Sequence, residues 1–292
     1  MTTIKSTSAT LSLNELLFPV QLIENPNQTN SEYSKIVVGQ TFDNGEMHLN
    51  YCSPRYELVP NVDIFPNIED ILRGNGINFT VTYRHINHVR FYADYVITDD
   101  DYAYRVKGGD LIRPKLTVQH SYNGLTKYAI NFGYFRLICS NGLVIPLEEM
   151  DMFNLSIVGK HTKVITRSLA MLNQMLVSFA NNAPEITGAI TRKFEVMGDR
   201  VVTDVSDRIL EVVSASGIIA VENSKFNTVE DILARITKEA NDTALPYNGV
   251  VNDWLIYNGI NQYINDDTLN KAIPEKRRET DQKVMQYILE TA

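Results

Sequence analysis

The apolar residues of this chain change their spacing once, and that change limits the folds open to it. As far as Leu147 they recur at every second position in short runs: Phe79, Val81 and Tyr83, then the stretch Val89–Ile97, then Leu116 and Val118, then Phe135, Leu137 and Cys139. A spacing of two belongs to strands that bury one face. After Lys160 the steps become three and four, as in Val164, Ile165, Leu169, Leu172, Leu176 and Phe179, which line up on one side of a helix. Strands first and helices later argue for an α+β fold rather than an alternating, doubly wound one. The expected architecture is an antiparallel β-sheet with hairpins in the first half, packed on a long helix, with a helical C-terminal part.

Turn and cap signals divide the chain further. Residues 1–30 read as a flexible N-terminal lead-in with one apolar cluster, Leu11–Val20, and the polar run Asn25–Ser31 as a linker. Residues 31–197 read as the α+β core domain and residues 198–292 as a mostly helical region, with Asn181–Pro184 as another natural break. Strands are expected at Tyr33–Val38, Met47–Tyr51, Phe79–His85, Val89–Ile97 and Tyr102–Lys107. Lys115–Ser121 and Lys127–Ser140 form an expected hairpin across Tyr122-Asn123-Gly124, where Asn-Gly suits a type I′ turn. A first-half helix runs to Arg73, capped by Asn61 or Asp63 and ended by Gly74. The later helices are His161–Asn181, broken at Pro184, then Ser206–Ala215, a helix opened by a Thr228-x-x-Asp231 capping box, Val250–Ile264 and Pro274–Leu289.

Charge is the next constraint. The net charge of −8 over 292 residues weighs against general nucleic-acid affinity. Its distribution does not. Between Leu111 and Leu147 there is no Asp or Glu, while Arg113, Lys115, Lys127 and Arg136 stand there with His120. Between Met152 and Pro184 acids are again missing, and Lys160, His161, Lys163 and Arg167 are present. Acids gather at Asp99–Asp101, at Glu148-Glu149 and after Glu222. The result is a basic face on an acidic body, able to meet phosphates, the protein's own acids or a neighbouring subunit.

Motifs for catalysis and metal binding do not occur. His85-Ile-Asn-His88 sets two histidines on opposite faces of a strand unless a turn separates them, and there is no cysteine cluster or His-Glu-x-x-His. Gly74-Asn-Gly76 and Gly108-Gly109 lack the Lys-Ser/Thr of a phosphate loop. There is no Gly-x-Ser-x-Gly elbow, and nothing near Cys139 and His161 signals a lowered thiol pKa. Asp99–Asp101 and Asp266-Asp267 read as solvated loops before they read as Mg²⁺ sites. The chain is therefore expected not to be an enzyme and to use no cofactor or metal. Cys52 and Cys139 are too few for a disulfide framework and read as buried small hydrophobes. Without an export signal or a run of about 18 apolar residues, a cytoplasmic protein with no membrane span is expected.

Basic residues interleaved with aromatics are the strongest functional signal. Tyr83-Arg84, Arg90-Phe-Tyr92, Tyr102-Ala-Tyr-Arg105 and Tyr134-Phe-Arg136 all fall on expected strands. Aromatic rings stack on bases while Arg and Lys track the phosphates of a single strand. Alternation puts Tyr134 and Arg136 on one face with Phe135 on the other, and Lys115, Thr117 and Gln119 opposite Leu116, Val118 and His120. The candidate nucleic-acid-binding residues are Arg84, Arg90, Arg105, Lys107, Arg113, Lys115, Lys127, Tyr134, Arg136, Lys160, His161, Lys163 and Arg167. An ordinary solvated sheet face stands as the alternative.

Three segments carry a family resemblance: Val118-Gln-His-Ser-Tyr-Asn-Gly124, Ile130-Asn-Phe-Gly-Tyr-Phe-Arg-Leu-Ile-Cys-Ser-Asn-Gly-Leu-Val144 and Lys160-His-Thr162. Their Ser-x-Asn-Gly turn, Phe-Arg-x-x-Cys-x-Asn-Gly strand and later His-Thr resemble a phage and plasmid family of unknown function, numbered nine-three-two among such domains. Tyr56-Glu-Leu-Val-Pro-Asn61 with Ile64-Phe65, and Trp254-Leu-Ile-Tyr-Asn258, are similar to its flanking elements, so the likeness runs from Tyr33 to Ile264. Asn123 stands where that family commonly has Asp. The resemblance implies a mobile-element origin and carries over no catalytic residue. The basic hairpin followed by a long helix is also similar in element order to the core of Rad-type single-strand annealing proteins. The leading expectation is a single-stranded DNA-binding, homo-oligomeric annealing or recombination factor. The alternative is a virion component or host-defence inhibitor that binds protein.

Overall fold

The elements follow one another as β1 (Ala9–Leu11), α1 (Leu13–Leu16), β2 (Val20–Glu24), β3 (Lys35–Thr41), β4 (Gly45–Cys52), α2 (Phe65–Gly74), β5 (Phe79–Ile86), β6 (Arg90–Ile97), β7 (Tyr104–Arg105), β8 (Leu111–Ser121), β9 (Ala129–Arg136), β10 (Gly142–Leu143), α3 (His161–Asp199), α4 (Val205–Ala215), α5 (Lys225–Ala240), α6 (Asp253–Asn265) and α7 (Pro274–Thr291). The computed structural model describes residues 9–28, 33–41, 45–105, 111–136, 142–143, 161–218, 225–245, 247–266 and 274–292. The expected α+β class holds: antiparallel strands come first and helices dominate the remainder. The chain divides into two units, each drawn from three stretches. The first takes Met1–Asp99, Lys115–Phe132 and Met152–Asn181, and the second takes Asp100–Pro114, Gly133–Asp151 and Asn182–Ala292.

In the first unit the strand order is β1-β5-β6-β8-β9, beside a smaller sheet of β2-β3-β4. Period-two alternation gives the larger sheet one oily face. Phe91, Ala93, Tyr95 and Ile97 of β6 and Leu116 and Val118 of β8 are buried. Helix α2 supplies Phe65, Ile68 and Leu72 to this core, and α3 supplies Ile165, Leu172, Met175, Leu176 and Phe179. The α3 contacts are specific: Phe132 packs on Phe179 at 4.8 Å, and the hydroxyls of Tyr128 and Ser168 lie 2.9 Å apart. Burial pushes the Tyr128 phenol up to about 12.

Several local expectations give way to tertiary contacts. The segment taken as a flexible lead-in carries β1, α1 and β2. Ser12 and Glu15 close a capping box on α1, and Leu16 and Phe18 are buried. Asn61 and Asp63 do not cap α2. They lie in a 3-10 turn, and the Asn61 N–H instead donates to the Tyr122 hydroxyl oxygen while its side-chain amide donates to the Leu16 carbonyl. Thr228 does not open α5, which starts at Lys225. Its hydroxyl instead lies 3.2 Å from that of Tyr263. Helix α3 does not end at Pro184 but runs on to Asp199, 39 residues in all. A proline removes one backbone bond, and the turns on either side carry the helix past that loss.

The tight turn also lies elsewhere than expected. Asn123 does not take a left-handed conformation. Only Gly124 does, at φ +70°, and seven residues separate β8 from β9. The left-handed pair is Asn87 and His88, at φ 51° and 55°, where the Val89 N–H closes onto the Ile86 carbonyl at 3.1 Å. Two central residues at positive φ fit the twist of the β5–β6 hairpin. Asn and His tolerate that region better than most side chains.

The second unit is helical around α6, which buries most of its faces. Trp254 is fully buried against Phe194 at 4.8 Å. Gly259 lets α5 approach: a Cβ there would lie 2.4 Å from Cγ1 of Ile236. The buried Asp253 takes two bonds from Arg208 at 3.0 and 3.1 Å, and Arg200 lies 3.2 Å away. Short pairings of β7 with the start of β8, and of β10 with the end of β9, complete this unit.

Candidate nucleic-acid interface

The face of the first unit's sheet opposite its core is polar. Registers pair Tyr92 with Arg84, Asp94 with Thr82 and Thr117, Val96 with Lys115, and Arg90 with Ser121. Side chains opposite one another in register share a face. Arg84, Arg90 and Lys115 therefore project together, and Lys115 lies opposite Leu116, Val118 and His120 as alternation along its strand requires. One acid, Asp94, stands on β6 among them. It pairs with Arg84, lies 3.5 Å from the Lys115 ammonium and accepts the Thr117 hydroxyl at 2.7 Å. Burial opposes its charge, but Lys115, Arg84 and the Thr117 hydroxyl outweigh that and hold its carboxyl below the usual range.

Not all of this face is open. Lys115 is 9% exposed, Gln119 4% and Tyr92 2%, so the β8 side is closed over. The Gln119 amide donates to the Lys127 carbonyl at 3.1 Å, and the Ser121 hydroxyl donates to the Thr126 carbonyl at 2.7 Å. The accessible strip is Thr80, Thr82 and part of Arg84 on β5, with half-buried Arg90 paired in register with Ile86; Lys127 is exposed beyond Gln119, at the other side of β8. The Arg84 Nε is buried without a hydrogen-bond partner. Arg90 makes no ion pair among the described residues.

The remaining candidates are dispersed. Arg167 is exposed on α3, which packs against Tyr128 and Phe132 on the core side, so the sheet separates it from Lys115. Arg105 and Arg113 belong to the second unit. Arg105 is exposed, and Arg113 pairs with Asp100 at 2.6 Å. Lys107 and Lys160 lie outside the described residues, as do the side chains of Tyr134, Arg136, His161 and Lys163. Cys139 and the Cys139–His161 pair also lie outside them, whereas Cys52 is buried, which raises its thiol pKa.

The acidic runs have structural partners. Asp99 accepts both the backbone and the side-chain N–H of Asn78, at 2.8 and 2.5 Å, and Asp266 pairs with Arg235 at 2.7 Å. A turn does separate His85 from His88. Their rings lie 4.1 Å apart, and the His88 N–H donates to His85 Nδ1 at 3.0 Å. Among the described residues no group of three or more His, Cys, Asp or Glu is disposed to hold a metal ion, and no helix is long and apolar enough to cross a membrane.

Sequence reasoning missed Asp94 as the hub of this face. The signal was present: a carboxylate in mid-strand between Ala93 and Tyr95 requires a partner, because such a group is rarely buried unpaired.

Fold and face together define an α+β protein whose N-terminal antiparallel sheet is oily on its helix side and mixed-charge on the other. The chain belongs to the family described as Domain of unknown function (DUF932), whose model matches residues 48–282. No curated protein and no solved structure matches it. The Trp254-to-Asn258 segment lies in the second unit's core: Tyr257 donates to Asp281 at 3.0 Å, and the Asn258 amide donates to the Trp254 carbonyl at 2.7 Å.

Proposed function

We propose that this chain is a non-enzymatic, single-stranded nucleic-acid-binding protein of a phage or other mobile element, acting in the cytoplasm as a homo-oligomer in strand annealing or recombination. The observation that carries the reading is the accessible strip of Thr80, Thr82, part of Arg84 and Arg90 on one sheet face, where Asp94 pairs with Arg84 and Arg90 makes no ion pair among the described residues. Thr80 and Thr82, exposed beside Arg84, add hydroxyl donors suited to phosphate oxygens.

Anisotropy of a labelled single-stranded oligonucleotide tests this. Binding at low salt is expected to weaken steeply as salt rises, with a log–log slope of about 0.7 per phosphate contact. Arg90→Glu and Lys127→Glu are expected to weaken it each, without the structural cost of touching the Asp94 cluster. Absence of binding at low salt would sink the reading.

A second reading, a protein-binding assembly or inhibitor component, draws support from the Arg84–Asp94 and Arg113–Asp100 pairs, which already satisfy part of the basic charge internally. A homo-oligomer whose size ignores added oligonucleotide would favour it.

A further inference from the structure

We propose that Asn123 is a site of spontaneous deamidation, where the Gly124 backbone converts the side chain to aspartate and isoaspartate. Six Asn-Gly pairs occur in the sequence, and those at Asn75, Asn123, Asn248 and Asn258 are described in both residues. In the reaction the Gly124 nitrogen attacks Asn123 Cγ, so an N–Cγ bond forms. The Cγ–Nδ2 bond breaks, and ammonia leaves with the proton surrendered by the Gly124 amide. Water then opens the five-membered succinimide at either carbonyl.

Three features of the structure favour this pair. The Asn123 side-chain oxygen accepts the Leu125 N–H at 3.1 Å, which polarises the carbonyl and meets the oxyanion that develops during attack. The Gly124 N–H, the nucleophile's proton, has no hydrogen-bond partner among the described residues, and neither has the departing Asn123 Nδ2. Beyond Gly124's own chain neighbours no heavy atom lies within 4 Å of the position a Gly124 Cβ would take, so this backbone is not packed against the rest of the protein.

The other pairs are restrained. The Asn75 amide donates to the Ile71 carbonyl and to Asn173, both at 2.8 Å, while the Gly76 N–H is bound to the Arg73 carbonyl. The Gly249 N–H is bound to the Ala240 carbonyl at 2.8 Å. Asn258 is buried in mid-helix with its amide on the Trp254 carbonyl. The product would place a carboxylate in the stretch between Leu111 and Leu147, which has none.

The test incubates the folded full chain, and the same chain in denaturant, at mildly alkaline pH, then digests both and measures aspartate and isoaspartate in each Asn-Gly peptide by mass spectrometry. In denaturant the pairs are expected to convert at similar rates. In the folded chain the Asn75, Asn248 and Asn258 peptides are expected to slow by about tenfold or more, because they must first open locally. Asn123 is expected to keep its unfolded rate within a few-fold. Protection of Asn123 equal to that of the other three, or equal reaction of all four in the folded chain, would overturn the proposal. Neither outcome depends on whether the protein binds single strands.

Discussion

Asp94 is the residue on which the candidate face turns, and its chemistry gives a signed expectation. Its folded pKa is depressed below the ordinary value of about 3.9, chiefly because Lys115 and Arg84 outweigh burial. A depressed carboxylate contributes stability that is present above the unfolded pKa and lost as pH falls through the folded one. Asp94→Asn is therefore expected to cost about 1–3 kcal/mol at neutral pH and to flatten the stability loss below about pH 4. Urea titrations across that range read both effects, and an unchanged acid slope would remove Asp94 from the account. If the face binds phosphates, the same substitution is expected to tighten strand binding even as it destabilises the fold. The alternation that sets Lys115 opposite Leu116, Val118 and His120 was legible in the sequence, because period two fixes which side chains of one strand share a face. The meeting of Arg84 and Arg90 with Lys115, the pairing of Arg84 and Lys115 with Asp94, and the closing of the face over Lys115 and Gln119, were not. These depend on register and on the return of the chain at Thr126 and Lys127.

At the scale of elements, periodicity located the long strands and helices, and local signals misplaced their ends. The cap expected at Asn61 was lost because that residue serves Tyr122 and Leu16 instead. Conversely, a Ser12-to-Glu15 capping box stood in a stretch read as flexible, since strands of three and five residues and a four-residue helix are too short to show a period. Leu16 tests that correction. Leu16→Ala is expected to cost about 2–5 kcal/mol, measurable by chemical denaturation, whereas a mobile lead-in would register almost nothing. Gly259 tests the packing of α5 against α6. Gly259→Ala forces Cβ into Ile236, itself fully buried, and is expected to cost about 1–3 kcal/mol despite the better helix propensity of alanine. A melting temperature equal to the parent's would mean that the helices separate freely at that crossing.

For the whole molecule, the excess of acids sets the terms on which any strand is met. With a net charge of −8, approach of a polyanion is opposed at long range and favoured only near the basic strip. Added salt thus screens a repulsion as well as an attraction. The measured slope in low salt is expected to be shallower than the contact count on the strip alone would give, and Arg90→Glu should lower it further. A salt-independent affinity would point to contacts made without phosphates. The two units also bear on what the sequence could reveal. Each draws on three separate stretches, and no composition shift marks such interleaving.

Trp254 is the single tryptophan of the chain, with no exposed surface, against Phe194 and Tyr257. Its emission is accordingly a built-in optical reporter for the second unit, blue-shifted and shielded from iodide while that unit is intact. The absorbance change of the buried tyrosines, which comes mostly from Tyr83, Tyr92, Tyr95, Tyr122 and Tyr128 of the first unit against Tyr247 and Tyr257 of the second, offers a second colour channel. Unlabelled protein can therefore be followed in two wavelengths at once. A red shift of the indole that precedes the tyrosine change on adding denaturant would identify the helical unit as the first to yield.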